Sequence, residues 1–340
     1  MKVILMRNRM LPVGVALAGA LVLAGCGGGG ATSGAPSATG TISVVATTTQ
    51  VADFTRNVAG SLADVTQLIQ PNQSAHSFDP TAADLLAVSR AKVLIDNGAG
   101  LEPWLSDITT SAGFTGTTID SSEGIELGGD HAHEHADEDH ADEDHAEDED
   151  GYNPHVWTAP ANAILMVRNI AAGLAKADPA NATQYSSNAD AYVAKLEALD
   201  AWAKENFDQV PASERLMVSN HDAFYYFLKA YDITFVGSII PNFEDNAEPS
   251  ASEVQNLIDE IKKLGVKAIF SEAAIDPKAA EQIASSAGVT VYSGDDALYG
   301  DSLGPAGSAG DTYIKATVHN VEVLLTAWGA TATERPADLQ

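Results

Sequence analysis

From Thr41 onward the apolar residues fall into two alternating patterns. Short solid blocks, Ile42-Ser43-Val44-Val45-Ala46, Val65 to Ile69 and Val93-Leu94-Ile95-Asp96, have the length and β-branched content of buried strands. Between them, apolar positions recur every three or four residues, which predicts helices from Thr49 to Val58, from Thr81 as N-cap to Ser89, and from Glu102 to Ser111. A weaker strand, Thr117 to Ile119, follows. Strands separated by single helices make parallel sheets with crossover helices.

The pattern then turns helical for about fifty residues. Ala161 to Lys176 is one helix, and Pro179 suits the opening turn of a second, running to Phe207. Tyr185, Ala189, Tyr192, Leu196, Leu199 and Trp202 mark its apolar stripe. Such a helix spans roughly 43 Å at about 1.5 Å per residue, longer than a small lobe is wide. It lacks a strict heptad and reads as a rigid connector. Beyond Pro211 the strand and helix rhythm restarts, with strands at 216–218, 233–236, 266–270 and 289–292 and helices at 222–230, 250–264, 277–287 and 311–328. The expected fold is α/β: two lobes, each a parallel sheet flanked by helices, joined by one long helix. The boundaries are 41–177 for the N-terminal lobe, 178–210 for the linking helix and 211–340 for the C-terminal lobe. No sequence repeat relates the lobes.

The start of the chain adds a location. Residues 1–25 read as a signal peptide, with Lys2, Arg7 and Arg9 ahead of the apolar run Leu11 to Ala24. That run is short for a membrane span. Leu23-Ala24-Gly25-Cys26 resembles the lipobox of bacterial lipoproteins, which implies cleavage before Cys26 and lipidation of its sulfur. Cys26 is the only cysteine, so a disulfide and a thiolate zinc site are excluded. Residues 26–40 read as a flexible tether. The expected location is extracytoplasmic, anchored to the cell membrane through Cys26, on the periplasmic side where an outer membrane exists.

Charge points to a ligand. The chain carries a formal −29, and the stretch 130–150 holds twelve acids and no Lys or Arg. Five of the nine histidines fall there, His131, His133, His135, His140 and His145. With no apolar residue larger than Ala, this stretch cannot offset the entropy of ordering itself. It offers imidazoles and carboxylates at high local density, an auxiliary low-affinity metal loop. The remaining 35 acids against 18 bases argue against nucleic acid or anionic lipid as partners and suit the gathering of cations.

Four further residues lie in loops or at element ends, where function concentrates. His76 follows the second strand, His155 sits between the acidic stretch and the next helix, His221 follows the strand at 216–218, and Asp301 follows the last strand. Each alone is a weak signal. Their segments are Ser74-Ala75-His76-Ser77-Phe78-Asp79-Pro80, Asn97-Gly98-Ala99-Gly100-Leu101-Glu102-Pro103-Trp104, Asn153-Pro154-His155-Val156-Trp157, Ser219-Asn220-His221-Asp222-Ala223-Phe224, and Asp301-Ser302-Leu303-Gly304 leading to Gly310-Asp311-Thr312-Tyr313. Together, and in this order, they resemble the metal-binding solute receptors of ATP-driven zinc and manganese importers (the cluster A-I lipoproteins), over nearly the whole chain from Thr41.

The resemblance implies His76 and His155 as ligands from the first lobe and His221 and Asp301 from the second. It implies an ABC permease as partner and no catalytic activity. His at the third ligand position and a His-rich acidic loop resemble the zinc branch. Asn153 stands where Asp is usual, and the loop is more acidic than a plain poly-His loop; neither departure is expected to touch a ligand. Asp222 and Glu272 are candidates to orient an imidazole from behind. His319, inside the last helix, reads as structural or exposed.

The ligand chemistry agrees independently. Three imidazoles and a carboxylate suit four-coordinate Zn²⁺, while Mn²⁺ prefers oxygen-rich octahedral sets. The reading is therefore a monomeric, lipid-anchored zinc receptor feeding a permease. The alternatives are a manganese receptor of the same family, or a surface adhesin or metal buffer acting through the acidic loop. A zinc hydrolase ranks last: catalytic zinc keeps a position open for water, whereas four ligands close the shell.

Overall fold

The computed structural model describes residues 40–129, 151–240, 242–243 and 248–339. The leader, Cys26, the tether up to residue 39 and the acidic stretch with His131, His133, His135, His140 and His145 lie outside the described residues.

In the first lobe, strands β1 (Ile42–Ala46), β2 (Ala63–Gln67), β3 (Val93–Asp96) and β4 (Thr117–Asp120) pair in parallel in the order β2-β1-β3-β4. β1 and β3 are almost wholly buried, as strands covered on both faces must be. Helices α1 (Thr49–Ala59), α2 (Ala82–Arg90) and α3 (Leu105–Ala112) make the crossovers. Thr81 and Asp84 close a reciprocal capping box on α2, so the N-cap reading of Thr81 holds. β2 ends at Gln67 rather than Ile69, although Leu68 and Ile69 still donate to Ala46 and Thr47 at 3.0 and 2.9 Å. α3 begins three residues later than its apolar spacing suggests, because Glu102 serves as an acceptor for the preceding turn.

In the second lobe, β5 (Leu216–Ser219) pairs in parallel with β6 (Thr234–Ser238), and β7 (Ala268–Phe270) with β8 (Thr290–Tyr292). β5 and β7 lie side by side without a shared backbone ladder, so the expected single sheet is two parallel pairs. At the seam, side chains take over: the Glu272 N–H donates to Asn220 Oδ1 at 2.7 Å. The lateral order β6-β5-β7-β8 repeats that of the first lobe, a correspondence invisible in the sequence. Helices α6 (Tyr225–Ala230), α7 (Ala251–Leu264), α8 (Lys278–Ala287) and α9 (Tyr313–Trp328) complete the lobe.

α4 (Pro160–Ala177) packs on α1, β3 and β4 of the first lobe, and the long α5 (Ala182–Phe207) connects the lobes. Pro179–Asn181 forms a separate tight turn, so α5 has 26 residues. α5 packs on α1 and α4 and also on α9, and buries Tyr185, Tyr192, Leu196, Leu199, Trp202 and Phe207. Burying side chains of this size contributes about 1.5–3 kcal/mol each. The connector is thus a core element. One apolar cluster continues from Val44 and Phe54 through α5 to Phe227, Val321 and Trp328. Among the described residues no helix is long and apolar enough to cross a membrane.

Candidate metal centre

In an open parallel sheet the loops leaving the carboxyl ends of strands converge where the strand order switches direction. β1 lies between β2 and β3, and that edge faces the matching edge of the second lobe, so the four predicted residues meet there. His76 comes from the loop after β2, and His155 opens the short turn Val156–Thr158 ahead of α4. His221 lies two residues past β5, and Asp301 lies in the loop after β8. One donor atom from each falls within 4.8 Å of the others.

The distances are close ones. His155 Nε2 is 3.0 Å from Asp301 Oδ1, and His221 Nε2 is 3.2 Å from the same oxygen. His76 Nε2 lies 3.1 Å from His155 Nε2 and 3.5 Å from Asp301 Oδ2, and His221 Nε2 lies 3.4 Å from His155 Nε2. Zinc–nitrogen bonds of about 2.0–2.1 Å in a tetrahedron put neighbouring donors about 3.3–3.4 Å apart. These contacts lie within a few tenths of an ångström of that spacing, and the whole set lies within 4.8 Å. It is also graded in depth: His155 and His221 are 0 % exposed and Asp301 2 %, against 9 % for His76. His76 lines a cleft of about 900 Å³ with Ala99, Asp120, Glu123, Tyr152 and Asn242, so it is the outermost of the four.

The imidazoles differ electrostatically. Burial pushes His155 down to about 4, against the pull of Asp301, so it is neutral at ordinary pH. Its Nδ1 faces Asn153 Oδ1 at 2.8 Å; an amide oxygen only accepts, so the proton sits on Nδ1 and the Nε2 lone pair points into the cluster. Burial would also depress His221, but the adjacent carboxylates of Glu272 and Asp301 outweigh it and hold this imidazole well above its usual range. Burial likewise pushes Glu272 up, with the imidazole of His221 opposing. A divalent cation among these groups competes with that proton, so binding releases it.

Each of the four has its own support. Trp104 Nε1 donates to the Ala75 carbonyl at 3.3 Å and steadies the His76 loop. Asn97 Nδ2 donates to the Pro154 carbonyl at 3.1 Å, ahead of His155. Glu102 in turn fixes Asn97, accepting from its N–H at 2.8 Å and from the Thr47 hydroxyl at 2.6 Å. The motif from Asn97 to Trp104 is therefore scaffolding for both first-lobe histidines, His76 and His155. Glu272 Oε1 lies 2.9 Å from His221 Nδ1, the orienting contact expected of it, whereas Asp222 contributes its backbone carbonyl, which accepts from Asn153 Nδ2 at 2.7 Å. The expectation that Asn153 touches no ligand is overturned, since its side chain is the partner of His155.

The Asp301 loop is held from the opposite lobe. The Gly300 carbonyl accepts from Gln50 Nε2 at 3.1 Å and Trp157 Nε1 at 3.2 Å, and the Leu303 N–H donates to Thr49 Oγ1 at 2.9 Å. Sequence reasoning missed Thr49, Gln50 and Trp157 in these roles; only the presence of Trp157 within the His155 motif pointed towards them. His319 is structural as expected: its Nε2–H donates to the Ala297 carbonyl at 3.0 Å and its ring packs edge-on to Tyr299.

Comparison with known proteins agrees with this geometry. Residues 44–327 match the family described as zinc-uptake complex component A, periplasmic. The iron-binding protein YfeA of Yersinia pestis is 30% identical over 294 residues, covering 84% of this chain and 86% of that protein. The metal ABC transporter substrate-binding lipoprotein ScbA of Streptococcus cristatus is 28% identical over 287 residues, covering 83% and 87%. The periplasmic zinc binding protein TroA of Treponema pallidum superposes with a TM-score of 0.74 at 25% identity, covering 85% of this chain and 99% of that one. A manganese-bound periplasmic metal binding protein from Candidatus Liberibacter asiaticus superposes at 0.68 with 26% identity, over 83% and 99%.

Proposed function

The chain belongs to the family of the periplasmic zinc-uptake component A, and from that premise we propose that its cargo is Zn²⁺, bound by His76, His155, His221 and Asp301. The family consists of metal-binding substrate receptors of ABC importers, which implies a membrane permease as the partner. What carries the choice of metal is the donor set, three imidazoles and one carboxylate within 4.8 Å of one another, where manganese prefers more oxygen. The relatives are named for iron, zinc, manganese or metal in general, so the choice rests on this chain's own residues.

Two further parts belong to the proposal. Cys26 carries a lipid that holds the receptor at the outer face of the cytoplasmic membrane, as a monomer. The acidic stretch 130–150 raises local zinc and passes it inward. What supports this second role is position: Leu127, Gly151 and Tyr152, at its two ends, line the same cleft as His76.

Titration calorimetry of the full chain with Zn²⁺ and then Mn²⁺ tests the reading. One tight zinc site, weaker for manganese and lost in His155→Ala, is expected. A preference for manganese, or a His155→Ala variant with undiminished affinity, would overturn it. Deleting 130–150 is expected to remove weak extra sites and leave the tight one; loss of the tight site instead would make the protein a metal buffer.

A further inference from the structure

We propose that Asn153 sets how firmly the centre holds its cation, by backing His155 with a neutral amide where a carboxylate would add a charge; the inference rests on the receptor reading above. The two inner imidazoles are backed differently. His221 Nδ1 faces the buried carboxylate of Glu272 at 2.9 Å, and His155 Nδ1 faces the wholly buried amide of Asn153 at 2.8 Å.

The surroundings of Asn153 select an amide. Its Oδ1 accepts from His155, both from the ring and from the backbone N–H at 3.1 Å. Its Nδ2 donates to the Asp222 carbonyl at 2.7 Å, next to His221 in the other lobe. The Tyr226 hydroxyl donates to its main-chain carbonyl at 2.8 Å and pins the residue in place. One end of the side chain must therefore accept and the other must donate, which an amide does and a carboxylate does not. Asn153 also ties the loop of a first-lobe ligand to the loop of a second-lobe ligand.

Charge gives the functional consequence. Glu272 already places a carboxylate behind His221 at 2.9 Å; behind His155, where the amide carries no charge, aspartate at 153 would place a second one. Its repulsion from the Asp222 carbonyl is present with or without the cation and cancels from the affinity. Its attraction to the cation does not cancel. Asn153 thus makes the grip weaker than the same scaffold with aspartate would give, which suits a cargo that must be handed on.

The test is zinc titration calorimetry with thermal melts, with and without Zn²⁺, on the full chain and on Asn153→Asp, Asn153→Ala and Glu272→Gln. Asn153→Asp is expected to melt lower without zinc, to gain more from zinc, and to bind about tenfold more tightly, while Asn153→Ala and Glu272→Gln bind about tenfold more weakly, within the range for groups that orient metal ligands. A merely structural role would lower both melts equally and leave the zinc-induced rise unchanged. Equal or weaker affinity in Asn153→Asp overturns the proposal. Should that variant fail to fold, unchanged affinity in Asn153→Ala or Glu272→Gln does so. A wild-type chain that binds no zinc overturns the receptor reading and this one with it, whereas normal wild-type binding beside an indifferent Asn153→Asp removes this one alone.

Discussion

Each lobe buries a glutamate just beyond its third strand, and each glutamate reaches back to the loop after the first strand. In the first lobe Glu102 accepts from Thr47, Asn97 and Gly98, all neutral donors. In the second, Glu272 sits against His221, accepting from its backbone N–H at 3.3 Å and facing its ring at 2.9 Å. The same device ties strand ends together in both lobes, but only the second places an ionisable partner on the carboxylate. The first lobe keeps an unbroken four-stranded ladder, while the second opens its ladder between β5 and β7. The opening lets Asn220 and Glu272 side chains replace backbone pairing, which puts a buried carboxylate directly behind a proposed metal ligand.

The largest test of this contrast compares a fully buried imidazole, His221, with the outermost one, His76. His221→Ala leaves Glu272 and Asp301 buried without their shared partner, and breaking a buried charge pair in this way costs about 3–5 kcal/mol. His76→Ala, at the cleft edge, is expected to cost less, because it removes only the 3.5 Å contact to Asp301 and leaves the shorter ones from His155 and His221 in place. Denaturant melts without metal measure both, and equal losses would remove the asymmetry between the lobes. With zinc added, both variants are expected to lose affinity by orders of magnitude.

The first lobe's glutamate predicts a pH effect. Burial raises Glu102 from its ordinary 4.5 to about 8, and nearby Asp96 rises to about 7, again by burial and then by repulsion from Asp120. The folded chain holds these protons more tightly than the unfolded chain, so unfolding releases them and stability falls as pH rises from about 4.5 towards 8. For Glu102 the loss by neutral pH is on the order of 3 kcal/mol. Glu102→Gln is expected to reduce the difference between melts at about pH 5 and pH 8, leaving the part due to Asp96 and the other raised carboxyls, Asp53, Asp222 and Glu272. A variant as pH-sensitive as the wild type would show that Glu102 ionises freely.

Smaller again is the seam of the second lobe. Asn220→Ala removes the acceptor for the buried Glu272 N–H, and an orphaned buried donor costs about 1–3 kcal/mol. Because Glu272 then loses its anchor, zinc affinity is expected to fall as well. A stability loss with affinity unchanged would place the anchoring of Glu272 elsewhere.

Much of this was legible in the sequence and some of it could not be. Strand and helix blocks are local signals, so β3 is found to the residue and Thr81 is a cap because its side chain acts within one turn. The four proposed ligands were legible because each lies in a short loop segment whose neighbours resemble a known set. The roles of Gln50, Asn153 and Trp157 were not. Gln50 and Trp157 hold Gly300 from 250 and 143 residues away, and no local pattern encodes such a contact. Asn153 read as a harmless departure although His155 is only two residues on, because the other end of its amide finds its partner, the Asp222 carbonyl, only when the lobes meet. The missing ladder between β5 and β7 was hidden for a related reason: apolar blocks report burial, and burial does not say which backbone bonds to which.

The smallest effect separates fold from function. Thr81 on α2 and Ser250 on α7 close the same capping box in opposite lobes, each accepting from the N–H three residues on while an acid returns the bond. Alanine at either position removes one satisfied helix donor and costs about 1 kcal/mol. Neither helix supplies a proposed ligand, and both caps are exposed, so the two losses should match and zinc affinity should not change in either. Thermal melts and zinc titration of Thr81→Ala and Ser250→Ala read this directly. If Ser250→Ala alone weakened zinc binding, the second lobe's open seam would be transmitting strain from α7 to Glu272, and the lobes would differ in rigidity as well as in charge.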